Sequence, residues 1–160
     1  MASRRVVVTG LGALTPLGNS LPKFWEGLIS GKSGAAPITY FDTSEFKTKF
    51  ACELKGFDPL EYLDRKQQRK MDRFTQYGMV STDEAIIDSG IDLEKIDKLR
   101  VGVIWGSGIG GLETFQNEVL NYAQGDGTPR YNPFFIPKMI ALSYLFINDN
   151  HLFKPSMTGY

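Results

Sequence analysis

Few side chains in this sequence have the type and spacing that chemistry requires. Gly106-Ser107-Gly108-Ile109-Gly110-Gly111 follows a β-branched run and precedes a helical pattern. That is the G-x-G-x-x-G arrangement in which backbone N–H groups at a helix start hold a phosphate. A dinucleotide site also needs an acidic residue about 20 positions on, where this chain has Gly127-Thr128-Pro129-Arg130-Tyr131. The loop moreover follows a late strand rather than the first. The competing reading is that glycine lets this loop pass close to other backbone. A second group is basic: Arg65, Lys66, Arg69, Lys70 and Arg73. On one helix Arg65, Arg69 and Arg73 align at i, i+4 and i+8, with Lys66 and Lys70 beside them. Like charges so placed repel, which a binding partner would relieve; a solvated face is the alternative.

The remaining reactive side chains are isolated. Cys52 lies between Ala51 and Glu53 in a strand-like segment, without the cation or helix start that activates a thiol, and reads as a buried structural residue. His151 sits in the polar, turn-like Asn148-Asp149-Asn150-His151 and reads as an exposed loop residue. One cysteine and one histidine cannot assemble a zinc site of the usual kind, so no metal is expected.

The elements that must position these residues follow from patterning. Val6-Val7-Val8 and Val101-Gly102-Val103-Ile104-Trp105 are apolar runs of the kind buried on both faces of a helix-covered sheet. Gly10, Gly12, Pro16 and Gly18 then shape a tight loop after the first. Ser20 with Pro22 predicts a helix start, Phe24, Trp25, Leu28 and Ile29 its apolar face, and Gly31 its end. Lys49–Leu54 predicts a short strand, and Asp58-Pro59 a brief helix through Leu63. From Asp64 one longer helix is expected to about Ser89, closed by Gly90, with Met71, Phe74, Gly78, Ser81 and Ala85 as a closely packed face. Leu112–Ala123 predicts another helix ended by Gly125-Asp126-Gly127. Asn132-Pro133-Phe134-Phe135-Ile136-Pro137 reads as an apolar loop, followed by a helical stretch from Lys138. Strands alternating with helices predict an α/β fold with a mostly parallel sheet.

The 160 residues suit one domain, and 18 basic against 18 acidic side chains leave no net charge to attract nucleic acid. A lone cysteine fits a reducing cytosol. No apolar stretch approaches the ~20 residues of a membrane span, and Val6–Val8 is too short for a signal-peptide core. A soluble, cytoplasmic protein is expected.

Four segments together resemble a known family. Arg4-Arg5-Val6-Val7-Val8-Thr9-Gly10-Leu11-Gly12 with Leu14-Thr15-Pro16-Leu17-Gly18-Asn19, Asp64–Asp72, Val101–Leu112 and Asn132–Pro137 are similar to β-ketoacyl-acyl carrier protein synthases, especially the synthase II type. The likeness is nearly continuous over about residues 3–140. It implies the thiolase-like architecture of two related halves, of which this chain is most of the amino-terminal one, lacking its closing strand. It also implies elongation of fatty acids by decarboxylative Claisen condensation of acyl and malonyl thioesters, in a homodimer, without metal or nucleotide cofactor. Ile109 and Phe134 would line the acyl pocket, Phe134 from across the dimer interface. An apolar tunnel suits a fatty chain, since each buried methylene is worth ~0.8 kcal/mol. Phe134 and Phe135 fit plain core equally well. Lys66, Arg69 and Lys70 match the segment that docks the acidic acyl carrier protein, with Arg130 adding to the patch from another loop.

The family reaction uses a cysteine nucleophile at a strand-to-helix elbow, two histidines and an oxyanion hole of backbone N–H groups. No position here matches those side chains, so no catalytic residue is assigned and the chain alone is expected to be inactive. Residues 1–140 are expected to be a partial ketoacyl synthase domain and 141–160 a divergent tail. At Leu142-Ser143-Tyr144-Leu145-Phe146-Ile147 the pattern stops abruptly, as a shifted reading frame would produce. Unpaired strand edges are expected to make the chain prone to aggregation. Two other classes stay open: a non-catalytic subunit binding carrier protein through Arg65–Arg73, and a nucleotide-binding module using Gly106–Gly111.

Overall fold

The computed structural model describes residues 4–140. In chain order these form α1 (Leu21–Ile29), β1 (Ala36–Pro37), β2 (Phe50–Ala51), a 3-10 turn at Pro59–Glu61, α2 (Arg65–Lys70), α3 (Arg73–Ser89), a second 3-10 turn at Lys98–Arg100, α4 (Leu112–Gln124) and α5 (Phe135–Met139). Two compact units result. One comprises the residues up to Asp58 with Met79–Ile91; the other comprises Pro59–Gly78 with the residues from Asp92 on.

In the first unit, Ser20 has the extended backbone of an N-cap (φ −158°, ψ 158°) and Pro22 sits in the first turn, yet the Ser20 side chain makes no capping bond. Glu84 on α3 does that work instead. Its Oε1 accepts the Leu21 N–H at 2.7 Å and its Oε2 the Ala13 N–H at 2.8 Å. One turn further, Asp88 accepts the Leu11 N–H at 2.9 Å. The two carboxylates fasten the glycine-rich loop to one edge of α3. The loop also runs against the helix backbone: a Cβ on Gly12 would overlap the Ser81 carbonyl oxygen, and one on Gly10 the Ala85 carbonyl oxygen. The small residues expected along this helix are therefore opposite the glycines that need them small. Gly90, at φ +64°, closes α3 as expected.

The strand at Lys49–Leu54 is shorter than expected. β2 pairs antiparallel with β1 in the register Ala36↔Ala51 and Pro37↔Phe50. Glu53 extends the pairing, accepting the Thr39 N–H at 3.0 Å and the Thr39 hydroxyl at 2.7 Å.

Val6–Val8 forms no strand, and Val6 is 90% exposed. In the second unit Val101–Trp105 likewise lies outside any strand, with Ile104 fully exposed. A strand buried on both faces needs neighbours on both edges, and neither segment has a ladder partner among the described residues. The mostly parallel sheet expected from these runs is thus not formed there. Among the described residues the apolar core is correspondingly thin: Leu63 and Met71 are buried in the second unit, Met79 and Val80 in the first.

The expected single helix from Asp64 to Ser89 is two helices, broken at Met71-Asp72. Beyond the break, Gly78 lies against Trp105 so closely that a Cβ would overlap the indole ring. No helix among the described residues is long and apolar enough to cross a membrane.

Candidate functional site

The candidate residues Lys66, Arg69, Lys70, Ile109, Arg130 and Phe134 all belong to the second unit. Its basic helix α2 is six residues long, too short to be stable through propensity alone, and is held at both ends by side chains. Asp64 and Gln67 form a capping box: the Gln67 N–H donates to Asp64 Oδ1 at 2.7 Å, and the Asp64 N–H donates to Gln67 Oε1 at 3.1 Å. At the other end Gln76, buried on α3, donates its amide to the carbonyls of Gln68 at 3.4 Å and Met71 at 3.3 Å. Carbonyls that a helix end leaves open are so satisfied.

Asp72 explains the break. Its Oδ1 receives the Phe74 N–H at 3.4 Å, and its backbone carbonyl receives the Thr75 and Gln76 N–H groups, so it starts α3 afresh. Its Oδ2 reaches α4, accepting the Thr114 N–H at 3.0 Å and the Thr114 hydroxyl at 2.5 Å. One buried carboxylate therefore caps two helices. An aspartate within an otherwise helical pattern was the available sequence signal. The expected three-arginine stripe does not survive the break. Arg65 and Arg69 stay on α2, whereas Arg73 opens α3 and pairs with Glu113 at 3.1 Å.

Arg65, Lys66 and Arg69 are exposed and make no ion pair with any described residue, while Lys70 is half-buried with its Nζ 5.7 Å from the centroid of the Phe134 ring. Arg130 pairs with Asp126 in its own loop at 3.6 Å, and among the described residues no hydrogen bond or ion pair joins it to α2. The Asp126 carboxyl is held below its usual range chiefly by the backbone N–H of Thr128.

The expected apolar loop at Asn132–Pro137 is half helix. Asn132 accepts the Phe134 N–H on its side chain and the Phe135 N–H on its carbonyl, both at 2.8 Å, and so opens α5. Pro137 is tolerated because it falls in the first turn, where its missing N–H would have no partner. Phe135 stacks between Phe115 of α4 (centroids 6.4 Å apart) and Tyr131 (5.9 Å). The helical stretch expected from Lys138 is the end of this short helix; its continuation, with His151 and the tail 141–160, lies outside the described residues.

The glycine loop meets the other end of α5. The Gly111 N–H donates to the Met139 carbonyl at 3.2 Å, and a Cβ on Gly111 would come within 2.6 Å of the Lys138 carbonyl oxygen. Gly110, at φ +85°, has its N–H on the Ser107 hydroxyl at 3.0 Å. With the Leu112 N–H on the Gly110 carbonyl and the Thr114 N–H on Asp72, the amides of Gly110, Gly111, Leu112 and Thr114 already have acceptors. A carboxylate also occupies the helix start, where it opposes a second anion. The close-approach reading of these glycines thus holds at Gly110 and Gly111.

Ile109 is 79% exposed and Phe134 37%, so the described residues do not themselves enclose a tunnel around them. Cys52 is exposed just beyond β2, not buried in mid-strand as expected, because the ladder ends at Ala51. Among the described residues no group of three or more His, Cys, Asp or Glu side chains is placed to hold a metal ion.

A family model described as the N-terminal domain of beta-ketoacyl synthase matches residues 3–144. The chain belongs to that family. This ketoacyl synthase domain is 44% identical over 141 residues to 3-oxoacyl-[acyl-carrier-protein] synthase 2 of Vibrio cholerae, covering 88% of this chain and 34% of that one. It is 46% identical over 142 residues to the protein of the same name from Coxiella burnetii, with the same coverage of 88% and 34%. The chain therefore spans about a third of the length of these relatives. Among solved structures it is similar to the ishigamide ketosynthase/chain length factor, at a TM-score of 0.77 and 30% identity over 89% of this chain and 35% of that one. A type II PKS acyl-carrier protein in complex with its ketosynthase bound to the hexaketide gives a TM-score of 0.67 at 26% identity, over 89% and 37%. The ketosynthase likeness supports a partial thiolase-like fold.

Proposed function

We propose that this chain is the amino-terminal portion of a 3-oxoacyl-acyl carrier protein synthase, and that its own contribution is to receive the carrier protein and line the acyl pocket. The observation that carries this reading is α2, which presents Arg65, Lys66 and Arg69 exposed and unpaired by any described residue. An acidic carrier would find its complement there, with attraction that speeds encounter and is screened by salt. The names of the relatives, and the neighbour held in complex with an acyl-carrier protein, point to the same partner.

In the whole enzyme, Lys66, Arg69 and Lys70 would hold the carrier while its acyl group passes to the cysteine nucleophile as a thioester, releasing the carrier thiol. Malonyl-carrier then loses carbon dioxide, and the carbanion attacks the acyl thioester and expels the cysteine thiolate. Ile109 and Phe134 would contact the apolar chain. Residues 1–160 carry no side chain matching the nucleophile or the two histidines, and expressed alone they are expected not to condense. Val6–Val8 and Val101–Trp105 would become buried strands of a mostly parallel sheet in the complete, homodimeric, cytoplasmic enzyme. Residues 1–140 would be the ketoacyl synthase domain, with 141–160 diverging from it. Arg130 joins the docking surface only if the carrier displaces Asp126.

A non-catalytic, carrier-binding subunit would use α2 in the same way. A nucleotide-binding role is disfavoured because the amides of Gly110, Gly111, Leu112 and Thr114 at the helix start are already bonded and the Asp72 carboxylate sits there. Calorimetric titration with acyl carrier protein tests the docking reading. Reversing Lys66 and Arg69 together to glutamate removes two exposed pairs of up to about 1 kcal/mol each and adds comparable repulsion, a loss of roughly tenfold or more in affinity. Equal affinity before and after the double reversal would refute the assignment.

A further inference from the structure

We propose that Lys70 is a positioning residue whose ammonium holds Phe134, and that an acidic partner drawing Lys70 away releases α5 and, through it, the loop that carries Ile109. The proposal rests on the carrier-docking reading above and adds a regulation to it. Lys70 differs from its neighbours on α2: Lys66 and Arg69 are exposed, whereas Lys70 is half-buried and lies over an aromatic face at 5.7 Å, within the range of cation–π attraction. Phe134 is the residue before α5 and the acceptor of its first helical bond, from the Lys138 N–H at 2.8 Å. The helix is a single turn of five residues, and its far end receives the Gly111 N–H on the Met139 carbonyl. Gly110 and Gly111 approach Met139 and Lys138 too closely to admit a side chain. α5 is therefore a short strut with Lys70 at one end and the Ile109 loop at the other.

Lys70 cannot face the Phe134 ring and a partner's carboxylate equally well. Carrier binding and the ring contact compete, so each weakens the other by the same factor. Breaking one cation–π contact at a partly exposed site corresponds to about two- to fivefold in affinity. Phe134→Leu, which frees Lys70, should therefore tighten carrier binding by about two- to fivefold, and the gain should vanish in a Lys70→Met background.

The structural half is read without any partner. With 4-fluorophenylalanine incorporated at position 134, the fluorine resonance should shift in Lys70→Met, which keeps the aliphatic stem, and stay in place in Lys70→Arg, which keeps the cation. The Ile109 methyl resonances should move with it. Carrier protein, or poly-glutamate as a generic polyanion, should shift the fluorine resonance toward its Lys70→Met position. If neither moves it, or if Ile109 is indifferent to Lys70→Met, the coupling is overturned. If carrier does not bind but poly-glutamate still moves both resonances, the docking reading fails and the coupling stands.

Discussion

Asp72 should be the most costly polar side chain to remove from this domain. Asp72→Ala deletes the acceptor of the Thr114 N–H at 3.0 Å and hydroxyl at 2.5 Å, together with the long bond from the Phe74 N–H. Hydrogen bonds to a charged group contribute roughly 1.5–3 kcal/mol. Thr114 is only half-buried, so water recovers part of the loss on the α4 side. Losing the cap of α3 adds about 1 kcal/mol. Together the expected destabilisation is about 2–4 kcal/mol, read as a lower midpoint in urea unfolding followed by far-ultraviolet circular dichroism. Asp72→Asn keeps the shape and one acceptor oxygen and should lose about half as much. Hydrogen exchange localises the effect: the Thr114 amide should lose protection in both variants, and more in Asp72→Ala. An Asp72→Ala protein within 0.5 kcal/mol of its parent, about the scatter of neutral surface changes, would refute the double-cap reasoning. So would unaltered exchange at Thr114.

Other outcomes follow from single contacts. Glu84→Gln should lose about 1–2 kcal/mol, because one of the two N–H groups at Ala13 and Leu21 loses its acceptor and the other keeps only a neutral one; faster exchange at either amide is the check. Gly12→Val should unfold at lower urea or force the loop off α3, since even one added carbon would overlap the Ser81 carbonyl oxygen; an unchanged midpoint contradicts that packing. The Thr39 hydroxyl, ahead of other causes, holds the Glu53 carboxyl below its ordinary range. Its contribution to the β1–β2 pairing is therefore present above the usual glutamate pKa and lost as pH falls through the lowered value. The Thr39 amide resonance should follow that titration, and Glu53→Gln should abolish it.

What could be read from the sequence was whatever short-range chemistry decides. Ser20, Pro22 and Gly31 bracket α1, Gly90 ends α3, and Gly111 to Gly125 bracket α4, because caps and glycine stops act within a few residues. The capping partner of α1 could not be read, since Glu84 comes from 63 residues away. The break at Asp72 had only that aspartate as a signal, because helical periodicity continues on both sides and the contact to Thr114 comes from 42 residues away. Val6–Val8 and Val101–Trp105 show the same limit from the other direction. Their composition says that they suit burial, but burial depends on neighbours no local pattern supplies. At the candidate site, the basic residues of α2 and the apolar residues Ile109 and Phe134 were legible as types. The contact of Lys70 with Phe134 was not, because it joins segments 64 residues apart in sequence whose approach is set by α4 and α5.

The central claim is that α2 receives an acidic carrier protein, and amide resonance mapping of the chain titrated with acyl carrier protein tests it most directly. Shifts centred on Lys66, Arg69 and Lys70 are expected, and they should shrink strongly when salt rises from about 0.05 to 0.3 M, as screening requires. Shifts absent from α2, or centred there and indifferent to salt, would contradict it.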